Sequence, residues 1–149
     1  MEHAEKKLGF KWYYFIIHGY LYILAILGVV IGVCEITGTV YADMTETFYE
    51  IFPMLQIVNV FFGAMQLVLA VIALFVRNQL ANWRVSGPLF LLIYQAFSLL
   101  YYAAYIAGTS LVLGTLALDW LSAGYILLQI VLLVVNKRYF DRRKDDFLY

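Results

Sequence analysis

The chain has 149 residues, 64% of them hydrophobic and only 13% charged, with a mean hydropathy of +0.83. Soluble domains run at roughly 45–50% apolar and about 25% charged residues, so a water-soluble fold is excluded and one small membrane domain is expected. The formal net charge is zero, which conceals a strong segregation of sign.

All Lys and Arg fall in three places: Lys6, Lys7 and Lys11; Arg77 and Arg84; and Lys137, Arg138, Arg142, Arg143 and Lys144. The other two connections carry acids only, namely Glu35, Asp43, Glu46, Glu50 and Asp119. The positive-inside rule then places both termini and the middle loop in the cytoplasm, which requires an even number of spans. Four are expected, at 13–34, 54–76, 88–107 and 115–135, followed by a cytoplasmic tail at 136–149. The expected location is a cell (inner or plasma) membrane, with the bilayer as the primary partner and no nucleic acid. Cys34 is the one cysteine, so neither an internal disulfide nor a Cys-based metal site is expected.

Residues 1–11 read as a short mixed-charge arm, and Trp12, Tyr13 and Tyr14 mark the membrane interface. The apolar run to Cys34 is too long for a signal core and no small-x-small site follows it, so this helix is expected to be retained. Gly28 and Gly32 form a G-x-x-x-G pair that lets another helix approach closely. In the following connection, Asp43-Met-Thr-Glu46 predicts a capping box that opens a short helix stopped by Pro53. Polar Glu46, Tyr49 and Glu50 alternate there with Phe48, Ile51 and Phe52, which predicts an interfacial helix, either a lid or a plain connector. Trp83 is a further interface anchor, and Gly87-Pro88 opens the third span. A Gly108-Thr-Ser turn is expected to close that span, and the tail, with Tyr139, Phe140 and Phe147, to dock on the membrane surface.

The second span carries one polar line. Gln56, Asn59, Gly63, Gln66, Ala70, Ala73 and Arg77 are spaced alternately 3 and 4, the seam of a left-handed bundle. The fourth span repeats it with Thr115, Leu118, Ser122, Tyr125, Gln129, Leu132 and Asn136. The first reads Tyr14, His18, Leu21, Ala25, Gly28, Gly32, Glu35, and the third Gly87, Leu91, Tyr94, Ser98, Tyr101, Tyr105, Gly108, with Tyr20, Tyr22, Gln95 and Tyr102 off the line. The fold expected is therefore an all-α membrane protein: an antiparallel, left-handed four-helix bundle with a short interfacial helix between spans one and two. Stacking the seams puts Ala25, Gln66, Ser98 and Tyr125 in one layer. Gly28, Gly63, Tyr101 and Ser122 form the next, and Gly32, Asn59, Tyr105 and Leu118 the one beyond. On this register Gln66 should bond Tyr125 or Ser98, Asn59 should bond Tyr105, and Leu92 and Leu99 should meet lipid.

Catalysis is not expected. His18 and Glu35 lie roughly 25 Å apart along one helix, no His or Cys set suits a metal, and no phosphate loop or nucleophile motif is present. No cofactor is expected either. The candidate polar site is the seam itself: Glu35, Gln56, Asn59, Gln66, Ser98, Tyr101, Tyr105, Ser122, Tyr125 and Gln129, with His18 as a proton-sensitive group. Amides and hydroxyls inside a membrane also join helices, at about 0.6 kcal/mol each. Glu35 is either solvated at the outer mouth or binds a cation or amine there.

Phe52-Pro53, Val76-Arg77, Leu80-Ala81, Gly87-Pro88, Tyr94, Asn136-Lys-Arg-Tyr139-Phe140 and Arg143 together resemble a family of small bacterial membrane proteins with four predicted spans and no assigned function. The resemblance covers most of residues 12–143 and implies the same topology. Some members carry a cytoplasmic zinc ribbon; this chain has no C-x-x-C pair, so that role does not transfer. Two functions compete. The leading expectation is a bacterial inner-membrane structural, accessory or oligomerising subunit, partnering itself or another membrane protein. The alternative is a transporter or ligand-binding membrane protein using the polar seam. A cavity reaching the seam separates them.

Overall fold

The computed structural model describes residues 10–118 and 120–147, without the side chain of Leu121. Most of the expected N-terminal arm, with His3, Lys6 and Lys7, and Asp119 of the last connection lie outside the described residues. The described residues form helices and turns, four of the helical stretches being long and apolar enough to cross a membrane.

The first stretch is compound: α1 (Lys11–Phe15), a π turn (Ile16–Tyr20) and α2 (Leu21–Thr37). Gly38, at φ 77°, closes α2 in a left-handed conformation that only glycine adopts without cost. A 3-10 segment (Thr39–Met44) leads to α3 (Thr45–Ile51). The expected capping box does not form. Thr45 instead turns its hydroxyl back to the carbonyls of Gly38 and Ala42, at 2.7 and 2.8 Å. Pro53 begins α4 (Pro53–Ala81), where its missing N–H costs nothing. α5 runs Gly87–Leu113 and α6 Trp120–Asp141.

Two boundaries differ from expectation. The Gly108-Thr-Ser turn is absent, because Ser110 satisfies itself by donating to Ile106 O within the helix, and the chain breaks instead at Gly114, φ 68°. Thr115 and Leu118 are exposed loop residues rather than the first turns of the fourth helix. There the Ala117 N–H folds back onto the Ser110 hydroxyl, at 2.9 Å.

The π turn corrects the first seam. From Leu21 onward the buried positions are Leu21, Ala25, Gly28, Gly32 and Glu35, as the spacing predicts. Before it they are Tyr13, Ile16, Ile17 and Tyr20, one residue out of phase, while Tyr14 and His18 are exposed. One residue inserted into the i→i−4 ladder rotates the preceding turn by about 100°, carrying His18 outward to stack on Tyr14. Arg77 Nε reaches into the interrupted ladder and donates to Ile17 O at 3.3 Å.

Along α4, Asn59, Gly63, Ala70 and Ala73 are buried, as expected, but Gln56 is exposed and Leu55 takes the inward position. A 3.6-residue helix drifts against a 3.5 repeat, and over three turns from Gln66 that drift selects residue 55 rather than 56. The spatial order is α2, α4, α5, α6, each helix packing against the next. The layer register is displaced by one turn. Gly32 faces Gly63, where a Cβ would stand 2.8 Å from Gly63 O, and Gly28 faces Ala70 and Gln66. Glycine against glycine allows the closest backbone approach, and that contact fixes the register. On α5, Leu92 and Leu99 are half-buried rather than lipid-facing, since they share a line with Gln95 and Tyr102, the flank turned toward the first span and α6. The exposed stripe is Leu89, Ile93, Phe97 and Leu100.

The two halves of the bundle differ. At the end carrying both termini, an aromatic plug closes the interior. Trp83, held at φ 53°, stacks on Tyr13 at 4.5 Å between ring centroids, and both meet Phe147. The tail therefore docks on the bundle itself rather than on a membrane surface. Phe140 and Phe147 are buried, and Arg143 lies between the rings of Phe10 and Tyr139, 4.5 and 4.6 Å from their centroids. Burying two Phe side chains stabilises that arrangement by about 1.5–3 kcal/mol each.

Candidate functional site: a polar-lined cavity between the helices

The polar residues of the seam divide into three groups along the bundle. Nearest the termini, Tyr20 joins three helices. Its hydroxyl donates to Gln129 Oε1 at 3.1 Å and accepts from Gln95 Nε2 at 3.3 Å. One layer closer to the plug, Trp12 Nε1 donates to Asn136 Oδ1 at 2.8 Å. These bonds are how α6 is tied to the first span. They make Gln129 a structural junction, and they involve Tyr20 and Gln95, which the seam lines omitted. The π turn brings Tyr20 inward, and nothing in the 3-4 spacing announces a π turn.

At the opposite end, Asn59 is fully buried under the connector. Its Nδ2 donates to the hydroxyls of Tyr41 and Tyr49, at 3.1 and 3.2 Å, and the Tyr105 hydroxyl approaches its Oδ1 at 3.5 Å. The expected Asn59–Tyr105 pairing is present, and two connector tyrosines complete the amide. Tyr41 stacks on Phe48 and meets Tyr49 edge-on, so residues 39–51 cap this end of the helices. Gln56 and His18 take no part in either group; both are exposed.

Between these two closed layers lies a cavity of about 370 Å³. Glu35, Gln66, Ser98, Tyr101, Ser122 and Tyr125, all seam candidates, line it together with Tyr94 and Tyr102. Leu24, Leu27, Gly28, Ile31, Leu69 and Ala70 supply its apolar surface. Gln66 was expected to bond Tyr125 or Ser98 and does not. Ser98 donates to Tyr94 O at 2.8 Å in its own helix, which leaves the Gln66 amide facing the cavity. Glycine at position 28 keeps α2 close to α4 beside the cavity, since a Cβ there would stand 3.1 Å from the Ala70 Cβ.

Glu35 is the acid of the cavity and is 5% exposed. Its Oε2 lies 3.5 Å from the Tyr101 hydroxyl, but that hydroxyl is 3.0 Å from Phe62 O. A phenol has one proton to give, and the shorter contact takes it, so the carboxyl keeps only a long partner. Among the described residues no Lys, Arg or His pairs with it. On the far wall Tyr102 shares a hydrogen bond with Ser122 at 3.1 Å, and its ring lies 4.8 Å from that of Tyr125. The most exposed lining residues are Leu27 and Ile31, at 48% and 44%. The opening therefore lies on the α2 side facing α6, toward what lipid would cover.

Such a lining can bind and orient a molecule with an apolar body and polar groups. Among the described residues no cluster of three or more His, Cys, Asp or Glu side chains converges as a metal site would require. Comparison with known protein families, curated proteins and solved structures gives no match.

Proposed function

We propose that this is a multi-pass membrane protein that binds an amphipathic small molecule within the bilayer, by way of the cavity between α2, α4, α5 and α6. The observation that carries the reading is the contrast between this cavity and the layers on either side. Above and below it the polar groups bond across the helices, as helix-joining groups do, with Gln95 Oε1 and Asn136 Nδ2 the atoms left over among the described residues. Within it Glu35, Gln66 and the surrounding hydroxyls converge on about 370 Å³ of space, the size and mixed lining of a small-molecule site. Polar and ionisable side chains inside a membrane are costly unless paired, and the polar groups of a ligand would pair them.

The structural or oligomerising subunit, the leading expectation from sequence, draws support from the Tyr20–Gln95–Gln129 junction. The bonds of that junction lie inside one chain, however, and its groups are buried away from any partner. Binding rather than catalysis is the reading because, among the described residues, Glu35 has no second acid, histidine or cysteine beside it in the cavity. In this reading the bundle is left-handed, α3 lies along the outer interface of a bacterial inner membrane, and the plugged end with both termini faces the cytoplasm. The Lys and Arg segregation supports that orientation. The cavity then lies in the outer half of the membrane, open sideways to lipid. The test is a fluorescence titration of the protein in nanodiscs with 1-isobutylnaphthalene, corrected with empty nanodiscs. Saturable binding that Ser98→Phe abolishes supports the reading, and a purely linear partition signal both for this probe and for an amphipathic naphthyl amine refutes it.

A further inference from the structure

We infer that the cavity selects an organic monocation, an amine carried on an apolar body, and that Glu35 is the group that recognises its charge. The inference rests on the ligand-binding reading above and specifies its chemistry. Glu35 is a carboxyl 5% exposed at the end of α2, inside the cavity lining, and no cationic side chain pairs with it among the described residues. Its hydrogen-bond donor among the described residues, the Tyr101 hydroxyl at 3.5 Å, is committed at 3.0 Å to Phe62 O. An acid in that position lacks the compensation that buried carboxylates otherwise have. A bound ammonium group supplies it.

The remaining walls suit the same ligand. Tyr94, Tyr101, Tyr102 and Tyr125 present aromatic rings around the space, and ring faces attract organic cations, more strongly where water is excluded. Leu24, Leu27, Ile31 and Leu69 contact the apolar body. Among the described residues no basic side chain lines the cavity, so an anionic ligand would meet Glu35 with nothing there to balance it. A bare metal ion fits poorly, because one carboxyl and scattered neutral oxygens fall short of the six to eight oxygens that calcium takes and leave most of the volume unused.

The experiment compares two probes of the same shape in nanodiscs at neutral pH: N,N-dimethyl-1-naphthylmethylamine, protonated, and 1-isobutylnaphthalene, its uncharged carbon isostere. Wild-type protein is expected to bind the amine at least tenfold more tightly than the isostere. Glu35→Gln is expected to lose that preference while still binding the isostere. Equal binding of both probes by the wild type overturns charge selection and leaves the cavity reading standing. Binding of neither overturns the cavity reading and the inference with it. A preference that persists in Glu35→Gln removes Glu35 from the recognition. The wild-type comparison needs no variant, so it decides charge selection even if the substitution impairs folding.

Discussion

Gly32 on α2 and Gly63 on α4 face each other so closely that a Cβ on either would stand 2.8 or 2.7 Å from the other's carbonyl oxygen. Backbone is the obstacle, and backbone gives way only if the helices separate. Gly63→Ala should therefore destabilise the bundle by about 1–3 kcal/mol. In detergent this lowers Tm by roughly 2–4 °C per kcal/mol. Gly124 on α6 has nothing within 4 Å of a Cβ, so Gly124→Ala should leave Tm unchanged or raise it slightly. Thermal denaturation of the two variants side by side checks the contact.

The Tyr20 hydroxyl bridges Gln95 and Gln129. Tyr20→Phe leaves both buried amides short of a partner and should cost about 1–2 kcal/mol, toward the upper range for polar contacts inside membranes. Tyr14→Phe, at an exposed position, should have no measurable effect. Equal Tm for the two variants would show that the junction contributes nothing.

The tail is held by Phe147 and by Arg143 between two rings. Phe147→Ala should release it, exposing the bond after Lys144 to trypsin roughly tenfold faster, since local opening governs such cleavage. Limited proteolysis with mass detection reads the change, and an unchanged rate would mean that the plug does not hold the tail.

For orientation, single cysteines at Glu46 and Lys144 in a Cys34→Ser background place one reporter at each end of the bundle, both at exposed positions. Impermeant maleimide on intact cells should label the Glu46 site only, and the Lys144 site only after permeabilisation. Labelling of both from outside would contradict cytoplasmic termini.

Much of this architecture was legible in the sequence because lipid leaves few choices. The 3-4 line through Asn59, Gly63, Gln66, Ala70 and Ala73 is inward-facing, and so are Ser98, Tyr101 and Tyr105 on α5. Three features were not legible. The π turn at Ile16–Tyr20 has no residue signature, yet it alone moves His18 out and Tyr20 in. The one-turn displacement between α2 and α4 follows from Gly32 meeting Gly63, and two glycines on one helix suit either register equally. The third is how the Gln66 amide comes to face the cavity without the serine partner expected of it. Ser98 bonds its own helix at Tyr94 O, and whether a serine bonds within its helix or across the bundle is decided by distances that spacing does not contain.

The most direct measurement is photolabelling of the full-length protein in its own membranes with an amphipathic amine bearing a diazirine, followed by peptide mapping. The expected result is saturable labelling concentrated on cavity-lining residues such as Leu27, Ser98 and Tyr102, displaced by excess N,N-dimethyl-1-naphthylmethylamine. Labelling that rises linearly with probe and falls on the outward stripe of Leu89, Ile93 and Leu100 would contradict a binding cavity and return the protein to a purely structural role.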